Sequence, residues 1–244
     1  MQAPWGSILR CRPLLETADH FFTAGDLELR GDEHEWAAVA AGIGVERTGL
    51  LLVRQVHGAA AAVRRLDRPE DWPLPEADVL ATDDPASALA IRVADCAPVL
   101  LADRRRGVVA AAHAGWRGTV QRAAAAAVDT LQREFGSRPE DLVAAIGPCL
   151  GPCCGEVGAE EPAAFRAAGH GESALARWFS AGPAGRAHLD LWTANADQLA
   201  EVGVPAAAIH VAALCTKTHA AVLHSHRAAR ERAGRMAGVI RPRA

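Results

Sequence analysis

Between residues 88 and 94, Leu89, Ile91 and Val93 alternate with Ala90, Arg92 and Ala94. This is the two-residue period of a strand with one apolar face, and it delivers Asp95-Cys96 at its end. Two short apolar runs follow, 99–103 and 108–112, on either side of the polar turn Arg104-Arg105-Arg106-Gly107. Such a pair predicts a β-hairpin. With the turn centred between Arg105 and Arg106, Pro98 stands opposite His113, and Cys96 lies two residues further at the same end. Opposed or diagonal positions have Cβ atoms roughly 5–8 Å apart, so a thiol and an imidazole meet at the open end of one hairpin.

After His113 the period changes to 3.6. Val120, Ala124, Ala127, Leu131 and Phe135 share a face, which predicts one long helix entered through Gly115 and ended by Gly136. The same criteria predict helices over 33–43, 160–168 and 193–202. They predict strands over 19–23, 49–56, 78–82, 142–146, 209–214, 220–223 and 236–240. The strand 49–56 runs into His57-Gly58. Residues 1–31 are otherwise irregular, 64–76 form a surface loop with three prolines, and 169–187 are a less structured excursion. The Gly- and Pro-rich stretch 147–158 reads as a loop, expected to border the same site with its backbone N–H groups facing substrate. No linker divides the chain, so residues 1–244 are expected to form one domain of mixed strands and helices.

Composition narrows the class. Half of the 244 residues are hydrophobic, 23% are charged and the net charge is −3, as in an ordinary globular protein. No apolar run approaches the roughly 20 residues that span a bilayer. The first residues carry Arg10 and Arg12 and no apolar signal core, so a cytoplasmic location is expected. Apart from Arg104–Arg106 there is no basic stripe, which argues against nucleic acid as a partner. The pattern carries no signature of oligomeric state. Six cysteines occur in no disulfide-like spacing and are expected to be free, buried or metal-bound.

Three predicted strand ends carry His57, Cys96 and His113. Two imidazoles and one thiolate leave one position of a tetrahedral zinc ion open, the pattern of a catalytic site. Their spacing matches no local metal motif, and each residue also has an ordinary structural role open to it. The thiol and imidazole of the hairpin alone would also suit a metal-free hydrolase, with Cys96 as nucleophile and His113 as base. The same donors suit a blue-copper centre, which wants a weak axial ligand. Only Met1 and Met236 are available, and neither is near these motifs in sequence. Cys149, Cys153 and Cys154 form a second candidate metal cluster. His224-Ser225-His226 would place both imidazoles on one face of a strand, beside Arg227.

Arg54-Gln55-Val56-His57-Gly58, Ala94-Asp95-Cys96-Ala97-Pro98-Val99, His113-Ala114-Gly115-Trp116-Arg117-Gly118, Ile146-Gly147-Pro148 and Glu156-Val157-Gly158 together resemble the laccase-domain (YfiH-like polyphenol oxidase) family. Cys215-Thr216 and Gly234-Arg235-Met236 resemble its C-terminal signature. The resemblance runs in order from about residue 50 to 240. It implies a zinc site made by His57, Cys96 and His113, which then serve as the catalytic residues. It also implies an α+β fold layered α-β-β-α, shared with a class of bacterial toxin deamidases. The implied activities are phosphorolysis of purine nucleosides and deamination of adenosine, with nucleoside and phosphate as small-molecule partners. Gln55, Asp95 and Arg117 are the expected substrate contacts, Arg117 with the helix N-terminus beside it. The chain departs from the family pattern at Ala24, in a shortened loop at Gly25-Asp26-Leu27, around residues 33–37, at Gly155 and at His226. A metal-free Cys/His hydrolase of amide or cell-wall precursor substrates, and a copper polyphenol oxidase, are the competing readings.

Overall fold

The computed structural model describes residues 1–68 and 71–243. Residues 69–70 of the predicted surface loop, and residue 244, lie outside that description. Two six-stranded sheets form the centre, with a three-stranded sheet beside them. In the first sheet the order is Gln2–Ala3, Gly6–Leu9, Ala18–Thr23, Met236–Pro242, Ala88–Val93 and Leu50–Leu51. In the second it is Ile209–Val211, Leu142–Ile146, Ala97–Asp103, Val109–Ala114, Val79–Thr82 and Ala61–Arg64. Met236–Pro242 thus lies inside its sheet, antiparallel to Ala18–Thr23 on one side and to Ala88–Val93 on the other.

Three apolar layers hold the sheets and helices together. Between the sheets, Phe22, Leu89, Ile91 and Ile240 of the first meet Leu80, Leu100, Val109 and Val143 of the second. On the outer face of the first sheet, Trp36, Val39 and Ile43 of the helix Glu33–Ile43 cover Phe21, Ala90 and Val239. On the outer face of the second, the helices Ala123–Phe135 and Leu191–Glu201 cover Val99, Leu101 and Ala112. The result is α-β-β-α, the α+β layering that the family resemblance implies. No helix of the described residues is long and apolar enough to cross a membrane.

The hairpin Ala97–Asp103/Val109–Ala114 has the predicted register, Pro98 opposite His113. Gly136 closes the following helix in the left-handed conformation, φ 66°, where glycine has no Cβ penalty. Several predicted elements differ. The single long helix is two, Trp116–Val120 and Ala123–Phe135, because Arg122 adopts φ 61° between them. The strand 49–56 is confined to Leu50–Leu51. Beyond it the backbone turns away to pair Arg54 with Glu76, and the Gln55 side chain takes over the pairing with Arg92.

The strand 209–214 stops at Val211, and Ala213 then takes φ 50°. Residues 220–223 are a turn, not a strand, with the His219 carbonyl accepting from both Val222 and Leu223. Residues 224–226 are likewise not a strand: Ser225 caps the helix His226–Ala229, and His224 Nε2 is bonded to the Leu27 carbonyl. The excursion 169–187 contains the helix Glu172–Trp178 and the strand Phe179–Ala181. Within 1–31, Gln2–Ala3 and Gly6–Leu9 are strands and Arg12–Leu15 a helix.

Candidate functional site

His57, Cys96 and His113 converge: one ligand atom from each lies within 4.8 Å of those of the other two. The imidazoles meet edge to face with centroids 4.9 Å apart. His113 is buried in the hairpin, Cys96 half-buried and His57 exposed. The set is therefore open to solvent on one side.

The organising residue is Asp78, fully buried at the start of Val79–Thr82. Its carboxylate accepts from His113 Nδ1 at 2.8 Å and from the backbone N–H groups of Val56, His57 and Gly58 at 3.1, 3.0 and 2.7 Å. The Asp78 carbonyl also accepts from the His113 N–H at 2.8 Å. One side chain therefore fixes the orientation of one imidazole and the backbone of the other, which sits at φ 61°. With Nδ1 occupied, His113 presents Nε2 to the cluster, the arrangement in which a carboxylate orients a ligating histidine. Nothing at sequence level marked Asp78 as more than the first residue of a strand.

Charge is tuned accordingly. Burial works against ionising Cys96, yet His113 and His57, both hydrogen-bonded to the thiol, bring it from 9.0 down to about 6. Burial also disfavours a charged His113, but the Cys96 sulfur and Asp78 raise it to about 9. Asp78 is held below its ordinary range: its burial is outweighed by His113 and the Gly58 and Val56 N–H groups. Cys96 is thus a thiolate at neutral pH, competent both as metal ligand and as nucleophile. Gly115 makes room for it, since a Cβ there would lie 2.4 Å from the Cys96 sulfur.

These residues line a cleft of ≈ 730 Å³ together with Gln55, Asp95 and Arg117. The Gln55 amide is spent on the backbone of Arg92, donating and accepting at 2.8 Å. Asp95, at φ 86°, has both oxygens engaged, by the Thr216 hydroxyl and the Arg227 N–H at 2.5 Å each. Both are positioning groups for the cleft wall. Arg117 is exposed and stacked on Trp116, 4.2 Å from the ring centroid. It opens a five-residue helix, not the long one.

The remaining wall carries five more arginines: Arg235 of the C-terminal signature, Arg227 beside the His224-Ser225-His226 stretch, and Arg30, Arg92 and Arg230, which no motif singled out. Burial, and Arg235 close by, lower the pKa of Arg92, as two guanidiniums facing one cleft require. Among the described residues, Arg30 is the one of these six, Arg117 included, with an ion pair, to Glu28 at 3.5 Å. Six guanidiniums against Asp95 and Glu231 make an anion-binding wall. Clustered arginines spread from 30 to 235 carry no signal in sequence order.

The loop 147–158 borders the cleft through Leu150, and at least four of its N–H groups are spent on backbone carbonyls instead of being free for a substrate. Those of Gly147, Cys149, Leu150 and Cys154 are bonded to the carbonyls of Pro98, Leu214, Asp95 and Gly151. Gly155, where the family pattern is usually aromatic, packs on the neighbouring strand; a Cβ there would lie 2.4 Å from the Leu189 oxygen. The second cysteine cluster is Cys153, Cys154 and Cys215, not the predicted Cys149 set. Met236, distant from the ligand motifs in sequence, belongs to the apolar group against which Cys96 packs. His224 and His226 do not form a further metal cluster among the described residues.

Residues 21–243 match the family described as multi-copper polyphenol oxidoreductase laccase. The chain is 41% identical over 207 residues to a purine nucleoside phosphorylase of Deinococcus radiodurans, covering 84% of this chain and 74% of that one. It is 37% identical over 186 residues to adenosine deaminase RL5 of an unknown prokaryotic organism, covering 73% and 70%. A match to a purine nucleoside phosphorylase of Bacteroides thetaiotaomicron, 36% identical over 172 residues, covers 70% of this chain and 61% of that one. The crystal structure of YlmD from Geobacillus stearothermophilus is similar over 100% of this chain and 98% of its own, with a TM-score of 0.88 at 29% identity.

Proposed function

The chain belongs to the family of multi-copper polyphenol oxidoreductase laccases, and on that premise we propose that it is a zinc-dependent purine nucleoside phosphorylase. It converts adenosine, inosine or guanosine and phosphate to free base and ribose 1-phosphate, and it also deaminates adenosine. The relatives named for these two activities support the reading. The observation that carries it is the junction of two features in one cleft. A metal-capable His-Cys-His set and six arginines suited to phosphate line the same cleft.

His57, Cys96 and His113 hold the zinc. Bound there, the ion supplies Lewis acidity that polarises an oxygen. Asp78 keeps the His113 ring in the tautomer and orientation that leave Nε2 for the ion. Arg92 and Arg235 face the cleft as a pair and neutralise phosphate as it approaches C1′ of the ribose. Arg117, with its guanidinium carbon 4.2 Å from the Trp116 ring centroid, adds a further cation to the anion site. Gln55 and Asp95 act indirectly, by fixing the strand edge at Arg92 and the segment at Arg227.

One geometry favours a second reading. Asp78, His113 and Cys96 also form the carboxylate–imidazole–thiolate line of a cysteine hydrolase, which needs no metal and makes no use of His57. The deciding experiment is His57→Ala, with bound zinc and phosphate-dependent inosine cleavage measured together. Loss of both is the expected result. Activity retained after zinc is lost would sink the phosphorylase reading and leave Cys96 as a nucleophile. Metal content of protein purified without added metal is expected to be near one zinc per chain, whereas copper at several per chain would favour the oxidase.

A further inference from the structure

We propose that Cys153, Cys154 and Cys215 form a second, thiolate-only metal site that takes one soft d10 cation of the zinc or copper(I) type. Their three sulfurs lie within 4.8 Å of one another. Three thiolates at about 2.3 Å from one ion stand roughly 3.8–4.0 Å apart, so a contraction of less than about 1 Å closes the set. All three thiols are free, and soft sulfur donors select ions of this class.

The local structure suits a closing site. Cys215 is buried and anchored: its residue bridges Cys149, and the next N–H, that of Thr216, donates to the Cys149 carbonyl at 3.0 Å. Cys153 and Cys154 sit on a short turn after Pro152, one exposed and one half-buried. The site thus has one fixed wall, two adjustable donors and an entry path. Cys149 stays apart, buried in the apolar core. Three thiolates around such an ion leave net negative charge, and the adjoining cleft supplies cations. Lys217, His188, Arg186 and Arg227 line it, together with Glu156, Glu160 and Glu161. Arg186 is paired with Glu156 at 2.5 Å, whereas Lys217 has no carboxylate partner among the described residues.

The position gives the ion a structural task. It ties the turn at 152–154 to Cys215, whose neighbour Thr216 holds Asp95, and Asp95 precedes Cys96. Arg227 and Arg230 line both this cleft and the one containing His57. An ion here braces the rim of the first site without touching its donors.

The full chain, reduced with a phosphine and freed of metal, is titrated with cadmium(II) without oxygen while sulfur-to-metal charge transfer is followed in the ultraviolet. His57→Ala serves as the background, since it disables the first site and leaves the three thiols intact. One cadmium with a multi-thiolate band is expected there. Adding Cys153→Ser and Cys154→Ser is expected to weaken that binding by more than about a hundredfold, with unchanged circular dichroism because both lie on a surface turn. Cys153→Ser alone, at the exposed donor, is expected to fall between. Equal affinity and band intensity with and without these thiols would overturn the proposal. So would a disulfide to Cys215 that forms in air despite excess zinc.

Discussion

His20 and His113 are both buried, one in each large sheet, and their surroundings drive them in opposite directions. At His20, burial dominates and lowers the pKa from 6.5 to about 4. The ring stays neutral, its Nε2 accepting from the Cys11 N–H at 2.9 Å. At His113 the same cost of burial is overcome by the Cys96 sulfur and Asp78, and the pKa rises to about 9. Burial itself is common to both; what differs is an anionic group on each side of the ring. A buried histidine with a carboxylate on one nitrogen and a thiolate at the other is built for chemistry, whereas one holding a backbone N–H is built for the fold.

The strongest way to break this contrast is Asp78→Ala. It leaves His113 beside Cys96 without its counter-charge and frees three backbone N–H groups. Loss of about 3–5 kcal/mol is expected, as for a buried pair deprived of one partner, with zinc affinity down by at least about 10–100-fold. Urea unfolding and metal analysis check both, and an Asp78→Ala protein of native stability and zinc content would remove Asp78 from the centre of the site.

His20 provides the next test, through pH. Its folded pKa lies below the unfolded value, so its neutral form contributes stability above pH 6.5. That contribution is lost as pH falls from 6.5 towards about 4, by at most about 3 kcal/mol. His20→Gln keeps an acceptor for Cys11 but does not titrate. It should therefore lose less stability than the parent between neutral pH and pH of about 4.5, as followed by urea midpoints. Parallel curves for the two proteins would contradict the assignment.

Gly115→Ala probes the His113 side more gently. Its Cβ would meet the Cys96 sulfur at 2.4 Å, so overpacking of about 1–3 kcal/mol is expected, together with reduced zinc retention. Normal zinc content in a destabilised Gly115→Ala protein would confine the glycine to packing. The smallest effect on stability is expected at the rim. Arg117→Ala should change stability by no more than about 0.5 kcal/mol while raising the KM for phosphate about tenfold, which is about 1.4 kcal/mol of lost binding. A phosphate KM unchanged in Arg117→Ala would take this residue out of the anion site.

The buried half of the site was legible in the sequence because it rests on regular elements. The register of the hairpin follows from where its polar turn lies, and register alone puts His113 near Cys96. Asp78 was not legible, since its partners at 56–58 and 113 reach it only through non-local strand pairing. The strand predicted over 49–56 failed for a related reason: Gln55 satisfies the Arg92 backbone with its side chain, which periodicity cannot express. The rim was read least well. The segment 220–235 is held by caps and carbonyl contacts such as Arg227 to Glu156 at 2.8 Å, and its apolar spacing follows neither period. The substitution of Cys215 for Cys149 in the thiol cluster is the same failure, because residues 149 and 215 are brought together by a bridge between two loops.

The place of Met236–Pro242 in the first sheet has a consequence for biosynthesis. Both of its neighbours, Ala18–Thr23 and Ala88–Val93, leave the ribosome well before it does. During that interval each presents an open edge of unpaired N–H and C=O groups, the kind of surface on which nascent chains aggregate. Until that late segment is translated, the first sheet exists as two halves with no strand between them, and no order of earlier folding events can join them in the native pairing.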